Sequence, residues 1–246
     1  MGHIEHRRDG PVVTLTLANP GRGNALDLAM LAQLDEHVAK VEADPDVRVL
    51  LLRGTPGGTF SSGADIGQWA PMSPVDFARD WIGYGNAVLR RFEHLRCPSI
   101  AAIEGVCFGG GLELALCADL RLATSSARLR FPEAGIGAIP GWEGGPRLAR
   151  LAGQGRALEA VLTTREIDAP TALAWGVSNA VEPPDDFDAL LADWAARLAA
   201  VSPRAATLAK QALGCPRENS EAFHSEAGRL VTFGIPPFKL EKDVVK

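Results

Sequence analysis

Apolar residues alternate with threonine along VVTLTL, Val12 to Leu17, which is the two-residue period of a strand with one face buried. The period then lengthens. Leu28, Leu31, Leu34, Val38 and Val41 recur at steps of three and four, predicting an amphipathic helix that Pro45 ends. VRVLLLRG, Val47 to Gly54, is an unbroken run of β-formers and predicts a strand covered on both faces. A Gly-, Ser- and Thr-rich loop runs from Gly54 to Asp65. Ser73-Pro74 has the form of a helix cap followed by a first helical residue, opening a helix toward Leu95 that Pro98 closes. SIAAIEG, Ser99 to Gly105, is a second apolar strand, and LELALCA turns helical after the glycines at 109–111. DLRLATSSARLRF predicts two short strands around a Thr-Ser-Ser turn, followed by a loop rich in Gly and Pro from Pro132 to Pro146. From Arg147 the pattern is helical, with a brief strand at Val177 to Val181 and a loop at Glu182 to Asp186. The strand–helix–strand order predicts an α/β core with parallel pairing.

Composition narrows the class. The chain has 246 residues, 46% hydrophobic and 22% charged, which excludes disorder and fibrous folds and fits one large domain. The net charge of −5 offers no overall basic field for nucleic acid. The most apolar stretch, Ile100 to Ala118, is broken by Glu104 and Glu113, so no membrane span is expected. MGHIEHRRDG has no apolar signal core, and a cytoplasmic location is expected. Cys97, Cys107, Cys117 and Cys215 form no metal-ligand spacing and read as ordinary reduced thiols, so no metal is expected.

Two glycine-rich segments leave backbone amides open to a ligand: Ser61-Ser62-Gly63-Ala64-Asp65 and Phe108-Gly109-Gly110-Gly111-Leu112-Glu113. The second has neither the spacing of a dinucleotide fingerprint nor the Lys-Ser/Thr of a phosphate loop. Either segment alone is equally a tight turn. Glu113 stands among Leu112, Leu114 and Leu116, and Glu133 among Phe131, Pro132, Ala134 and Gly135. Isolated carboxylates in apolar surroundings are costly to bury and point to pairing or chemistry. A carboxylate at a helix start also complements the helix dipole, so the residues by themselves leave both readings open.

The ordered set of motifs resembles the enoyl-CoA hydratase/isomerase, or crotonase, family. It comprises Asn19-Pro20-Gly21-Arg22-Gly23-Asn24-Ala25-Leu26, Phe60-Ser61-Ser62-Gly63-Ala64-Asp65-Ile66, and Ile100 to Gly105 running into Gly109 to Ala115. Phe131 to Gly137 with Ile139-Pro140-Gly141 completes it, and the resemblance spans Val12 to about Leu213. It implies an α/β fold, a crotonase-like spiral of repeated β-β-α units with a helical C-terminal region. Residues 1–185 would form the core with the acyl-CoA site, and residues 186–246 a helical oligomerisation region. The implied activity is hydration of a 2-enoyl-CoA thioester. The amides of Ala64 and Gly110 would form an oxyanion hole for the enolate. Glu113 would help activate water and Glu133 would deliver a proton to the α-carbon. Arg22, Ala25, Ala64, Asp65, Ile66, Gly110 and Trp142 would contact substrate. No cofactor is implied, because coenzyme A arrives as part of the substrate. Trimers, often paired into hexamers, are the family's assembly.

The chain departs from the family pattern in two places. Many hydratases read P-G-x-G-G-T-Q-R where this chain has Pro140-Gly141-Trp142-Glu143-Gly144-Gly145-Pro146-Arg147. Trp142 and Glu143 would line the acyl pocket, or else Trp142 packs and Glu143 faces solvent. A third acid here would suit a dienoyl-CoA isomerase. The tail from Gly228 to Lys242 lacks the family's E-G-x-x-A-F segment. The alternatives to the hydratase are an enoyl- or dienoyl-CoA isomerase, or a non-catalytic relative that binds RNA or a protein.

Overall fold

The computed structural model describes residues 2–214; Cys215 and the tail segment discussed above lie outside the described residues. The chain opens with β1 (His3–Asp9), β2 (Val12–Ala18), α1 (Leu28–Ala43) and β3 (Val49–Gly54). It continues with α2 (Ile66–Trp69), α3 (Pro74–Asp76), a π-helical stretch Phe77–Gly83 and α4 (Tyr84–Glu93). Next come β4 (Ser99–Ile103), β5 (Val106–Phe108), α5 (Gly110–Ala115), β6 (Leu120–Thr124) and β7 (Arg128–Arg130). A 3-10 turn at Glu133–Ile136 leads to α6 (Gly144–Ala152), α7 (Gln154–Thr163), β8 (Ile167–Asp168) and α8 (Ala169–Ala174). The described chain ends with β9 (Ala180–Glu182), α9 (Pro184–Ala200) and α10 (Pro203–Gly214).

Six strands form one sheet in the order β1-β2-β3-β4-β6-β9. Only its β1–β2 edge is antiparallel; the other pairs are parallel, as the strand–helix alternation predicts. β5, β7 and β8 form a second, smaller sheet. The run VLLLRG is buried on both faces because its alternate residues serve different layers. Val49 and Leu51 meet Phe187, Leu191 and Ala195 of α9. Leu50 and Leu52 join the larger core with Leu31, Leu34 and Val38 of α1.

One plan recurs along the chain. A strand joins the large sheet, the chain crosses to the small sheet, and a helix or helical turn follows. β4, β5 and α5 make one such unit, and β6, β7 and the Glu133 turn make the next. β3 begins an earlier one, in which Ser61 pairs with Cys107 of β5 as a single bridge. This is the spiral of β-β-α units expected from the motifs. The strands flanking Thr-Ser-Ser are present, but they do not pair with each other. Ser125 N–H donates to Glu182 O and Arg128 N–H to Gly105 O, so the chain turns a corner between sheets. The cap at Ser73 is as read: its side chain accepts from Asp76 N–H, and Pro74 is the first helical residue. Cys97, Cys107 and Cys117 are buried and free. No helix among the described residues is long and apolar enough to cross a membrane.

Candidate active site

The spiral stacks equivalent loops of successive units, and this brings the two glycine-rich segments together. Phe108 N–H donates to Ser61 O at 2.9 Å, and Ser61 N–H donates to Val106 O at 3.1 Å. A second bridge ties Leu26 to Ala64, through Leu26 N–H to Gly63 O and Asp65 N–H to Leu26 O. The second bridge uses the neighbours of Ala64, Gly63 and Asp65, and not its own N–H. Ala64 N–H and Gly110 N–H themselves donate to no protein acceptor among the described residues. They are also adjacent: a methyl group on Gly110 would lie 3.3 Å from Ala64 N. An unpaired amide in a partly enclosed site is costly unless a ligand or water accepts from it.

Glu113 projects from α5 and is 2% exposed, so it is not a solvated helix-start carboxylate. Its Oε1 accepts from Trp142 N–H at 2.7 Å and Gly144 N–H at 2.9 Å. These amides point the same way because Glu143 between them is left-handed, with φ of 65°. Successive amides turned inward in this way cradle an anion. Oε2 of Glu113 has no hydrogen-bond partner among the described residues. Burial pushes the Glu113 carboxyl up to about 7; repulsion from Glu133 adds to this, while the two amides and Arg147 oppose it.

Glu133 approaches from the turn after β7. Gly109 has a backbone (φ 48°, ψ −126°) that only glycine adopts readily, and a side chain there would come within 2.8 Å of Glu133 Oε1. Glu133 Oε2 is buried without a partner among the described residues, and burial raises the carboxyl above its ordinary value. Two carboxyls with raised pKa values therefore flank the glycine segment whose amide is free.

The remaining residues fall into two groups. Arg22, Asp65 and Ile66 lie at the rim. Arg22 pairs with Asp65 at 2.5 Å while its side chain stays 61% exposed, and Ile66 is also exposed. Asp65 additionally caps α2 through Gly67 N–H, and Ala25 is buried beside this segment, with its carbonyl accepting from Asn19. Trp142 is buried: its ring packs on Gly110 and Gly85, lies 5.4 Å from the Trp81 ring, and donates to Trp81 O. The Trp142 ring is thus held in packing against Gly110. The Glu143 carboxylate is taken up by Arg90 and Arg147, and the Arg90 guanidinium holds it below the ordinary carboxylate range. The motifs did not disclose the amide cradle, which has no side-chain signature, or the part played by Arg147, which fills the arginine position of the P-G-x-G-G-T-Q-R pattern but whose burial, at 2% exposed, only the structure shows.

The family model for enoyl-CoA hydratase/isomerase matches residues 7–232. A short-chain-enoyl-CoA hydratase of Clostridium acetobutylicum is 36% identical over 231 residues, covering 92% of this chain and 88% of that protein. A crotonyl-CoA hydratase of Syntrophomonas wolfei is 36% identical over 180 residues, 73% of this chain and 69% of its own. Among solved structures, an enoyl-CoA hydratase of Bacillus anthracis superposes with a TM-score of 0.89 at 31% identity, covering 94% of this chain and 91% of that one. With free amides, two carboxyls of raised pKa and these relatives agreeing, the chain belongs to the enoyl-CoA hydratase/isomerase family.

Proposed function

We propose that this protein is an enoyl-CoA hydratase that adds water across the 2,3-double bond of a 2-enoyl-CoA thioester. The observation that carries the reading is the contact between two uncommitted amides, Ala64 and Gly110, beside two carboxyls with raised pKa values. The thioester oxygen accepts from both amides. Water attacks C3, the π electrons move to the thioester oxygen as an enolate, and the amides stabilise charge that develops only then. Glu113, anchored through Oε1, takes the water proton on Oε2. Glu133, whose burial favours the protonated form, donates to C2 as the enolate collapses. Proton exchange between the carboxyls and solvent restores the start.

The CoA portion lies over the rim, with Arg22 meeting a phosphate and Ala25, Asp65 and Ile66 lining its path; Trp142 backs the thioester end. The reaction uses no metal or organic cofactor. Free, buried Cys97, Cys107 and Cys117 support a reducing, cytoplasmic setting. Residues 1–185 act as the catalytic core and residues 186–246 take part in assembly as a homotrimer or hexamer. Support for assembly comes from Leu158 and Leu162 on α7 and Leu213 on α10, whose exposed side chains a second copy would cover. A solution mass of three or six chains checks this.

The test of activity uses crotonyl-CoA in heavy-oxygen water. The wild type should give a 3-hydroxyacyl-CoA labelled at C3, and Glu133→Gln should lose about 10²- to 10⁴-fold in kcat. Unchanged turnover in Glu133→Gln overturns the assigned role. Migration of the double bond of a 3-enoyl-CoA, with no oxygen gained from either substrate, assigns the chain to the isomerases instead.

A further inference from the structure

The loop that grips Glu113 is itself held from behind. Arg147, on α6, donates through Nη1 to Trp142 O. Its Nε and Nη2 donate to Glu93 Oε2 of α4 at 3.0 and 2.7 Å, and Nη2 reaches Glu143 Oε2 at 3.4 Å. Arg90 of α4 closes on the other side of Glu143, and Arg150 takes the second oxygen of Glu93 at 2.8 Å. The Arg147 side chain is 2% exposed, so its own bonds are shielded from water, whereas Arg90 and Arg150 pair at the surface. Trp142 is thereby fixed at three points: its carbonyl by Arg147, its indole N–H by Trp81 O, and its amide against Glu113.

We propose that Arg147 is a positioning residue for Glu113. By holding the Trp142 carbonyl and the Glu143 carboxylate, it fixes the left-handed turn that aims the Trp142 and Gly144 amides at Glu113 Oε1. The role rests on the hydratase reading for its catalytic consequence, although the geometry stands without it. Three features argue for a directed device rather than general packing. The guanidinium divides its planar fork, Nε and Nη2 going to Glu93 of α4 while Nη1 holds the Trp142 carbonyl and Nη2 also reaches Glu143, so it bridges α4 to the one loop that carries both amide donors. The residue between those donors is a glutamate in a conformation that glycine prefers, so something must hold it there. The ionic partners come from a different helix, α4, which anchors the loop to the body of the fold. The charged and titratable groups that face Glu113 are Glu133 from the turn after β7, Arg147 itself from α6, and the neutral Cys117 thiol on α5.

The test compares wild type, Arg147→Met and Arg147→Lys. The Glu113 carboxyl is followed by carbon NMR of glutamate-labelled protein, assigned with Glu113→Gln, and kcat and KM are measured against pH. Loss of the arginine removes a nearby positive charge and frees both amides, so the Glu113 midpoint moves to higher pH in Arg147→Met, by about half a unit or more. The acid limb of kcat moves with it, kcat falls on the order of 10- to 100-fold, and KM stays within about threefold. Arg147→Lys keeps the charge without the fork and shifts the midpoint less. An unmoved midpoint, with kcat falling only as the folded fraction falls, overturns the proposal. If Arg147→Met does not fold, Glu93→Gln loosens the same guanidinium from outside and is judged by the same midpoint. A moved midpoint in a protein with no hydration activity supports the positioning and refutes the hydratase reading alone.

Discussion

Replacing Glu113 by glutamine should destroy activity and stabilise the protein, with a pH dependence set by the burial of that one group. The folded carboxyl has its pKa raised from 4.5 to about 7. The native state therefore binds the Glu113 proton more tightly than the unfolded chain does. Its favourable contribution is present below the unfolded value and is lost as pH rises through the folded value. A shift of about 2.5 units corresponds to about 3 kcal/mol of native-state cost once the group is ionised, at 1.36 kcal/mol per unit. Glutamine carries no charge and keeps an oxygen to accept from Trp142 and Gly144, so it escapes that cost. The advantage should be under about 1 kcal/mol at pH 5 and approach about 3 kcal/mol at pH 8.5. For a chain of this size, that is a melting-temperature gain on the order of 5–10 °C at the higher pH. Thermal melts of both proteins from pH 5 to 8.5, with turnover measured in parallel, provide the assay. A melting-temperature difference that does not grow with pH refutes the claim that Glu113 is a carboxyl held against desolvation.

Three other substitutions probe the site. Gly110→Ala places a methyl 2.7 Å from the Trp142 ring and beside Ala64 N, so kcat should fall about 10²- to 10³-fold and stability by about 1–3 kcal/mol; activity within about threefold of wild type contradicts the oxyanion assignment. Glu143→Gly and Glu143→Val both lose the Arg90 pair, but only glycine takes the left-handed turn freely. The valine protein should be less stable than the glycine protein by about 1–2 kcal/mol in denaturant unfolding and should also lose more activity. Arg22→Met should raise KM for the acyl-CoA several-fold with kcat held, and the KM of the wild type should rise with salt more steeply than that of the variant.

Much of the fold was legible because its strands are covered. VVTLTL and VRVLLLRG have periods that only their burial pattern explains, and α1 keeps its apolar stripe through Val41. β1 escaped notice for the opposite reason. In HIEHRRD only Ile4 is buried, and the strand exists because it adds to the exposed edge of β2. The residues after Asp119 show the limit of local reading: two strands were legible, but their assignment to different sheets depends on Glu182 and Gly105, which are distant in sequence. Within the site, Glu113 and Glu133 stood out as charges among apolar neighbours. The groups that tune Glu113 did not, because Trp142 and Gly144 act through backbone N–H groups and Glu143 owes its part to a left-handed φ. Arg147 and Arg150 lie on one helix with the same side chain, and only the tertiary packing of α4 buries the first and leaves the second exposed.

The most direct measurement is a crystal structure of the protein with a bound acyl-CoA substrate analogue. The account predicts the thioester oxygen within about 3 Å of both Ala64 N and Gly110 N, with the carboxyls of Glu113 and Glu133 facing C3 and C2 of the acyl group. A thioester oxygen that accepts from neither amide, or an acyl group remote from both carboxyls, contradicts it.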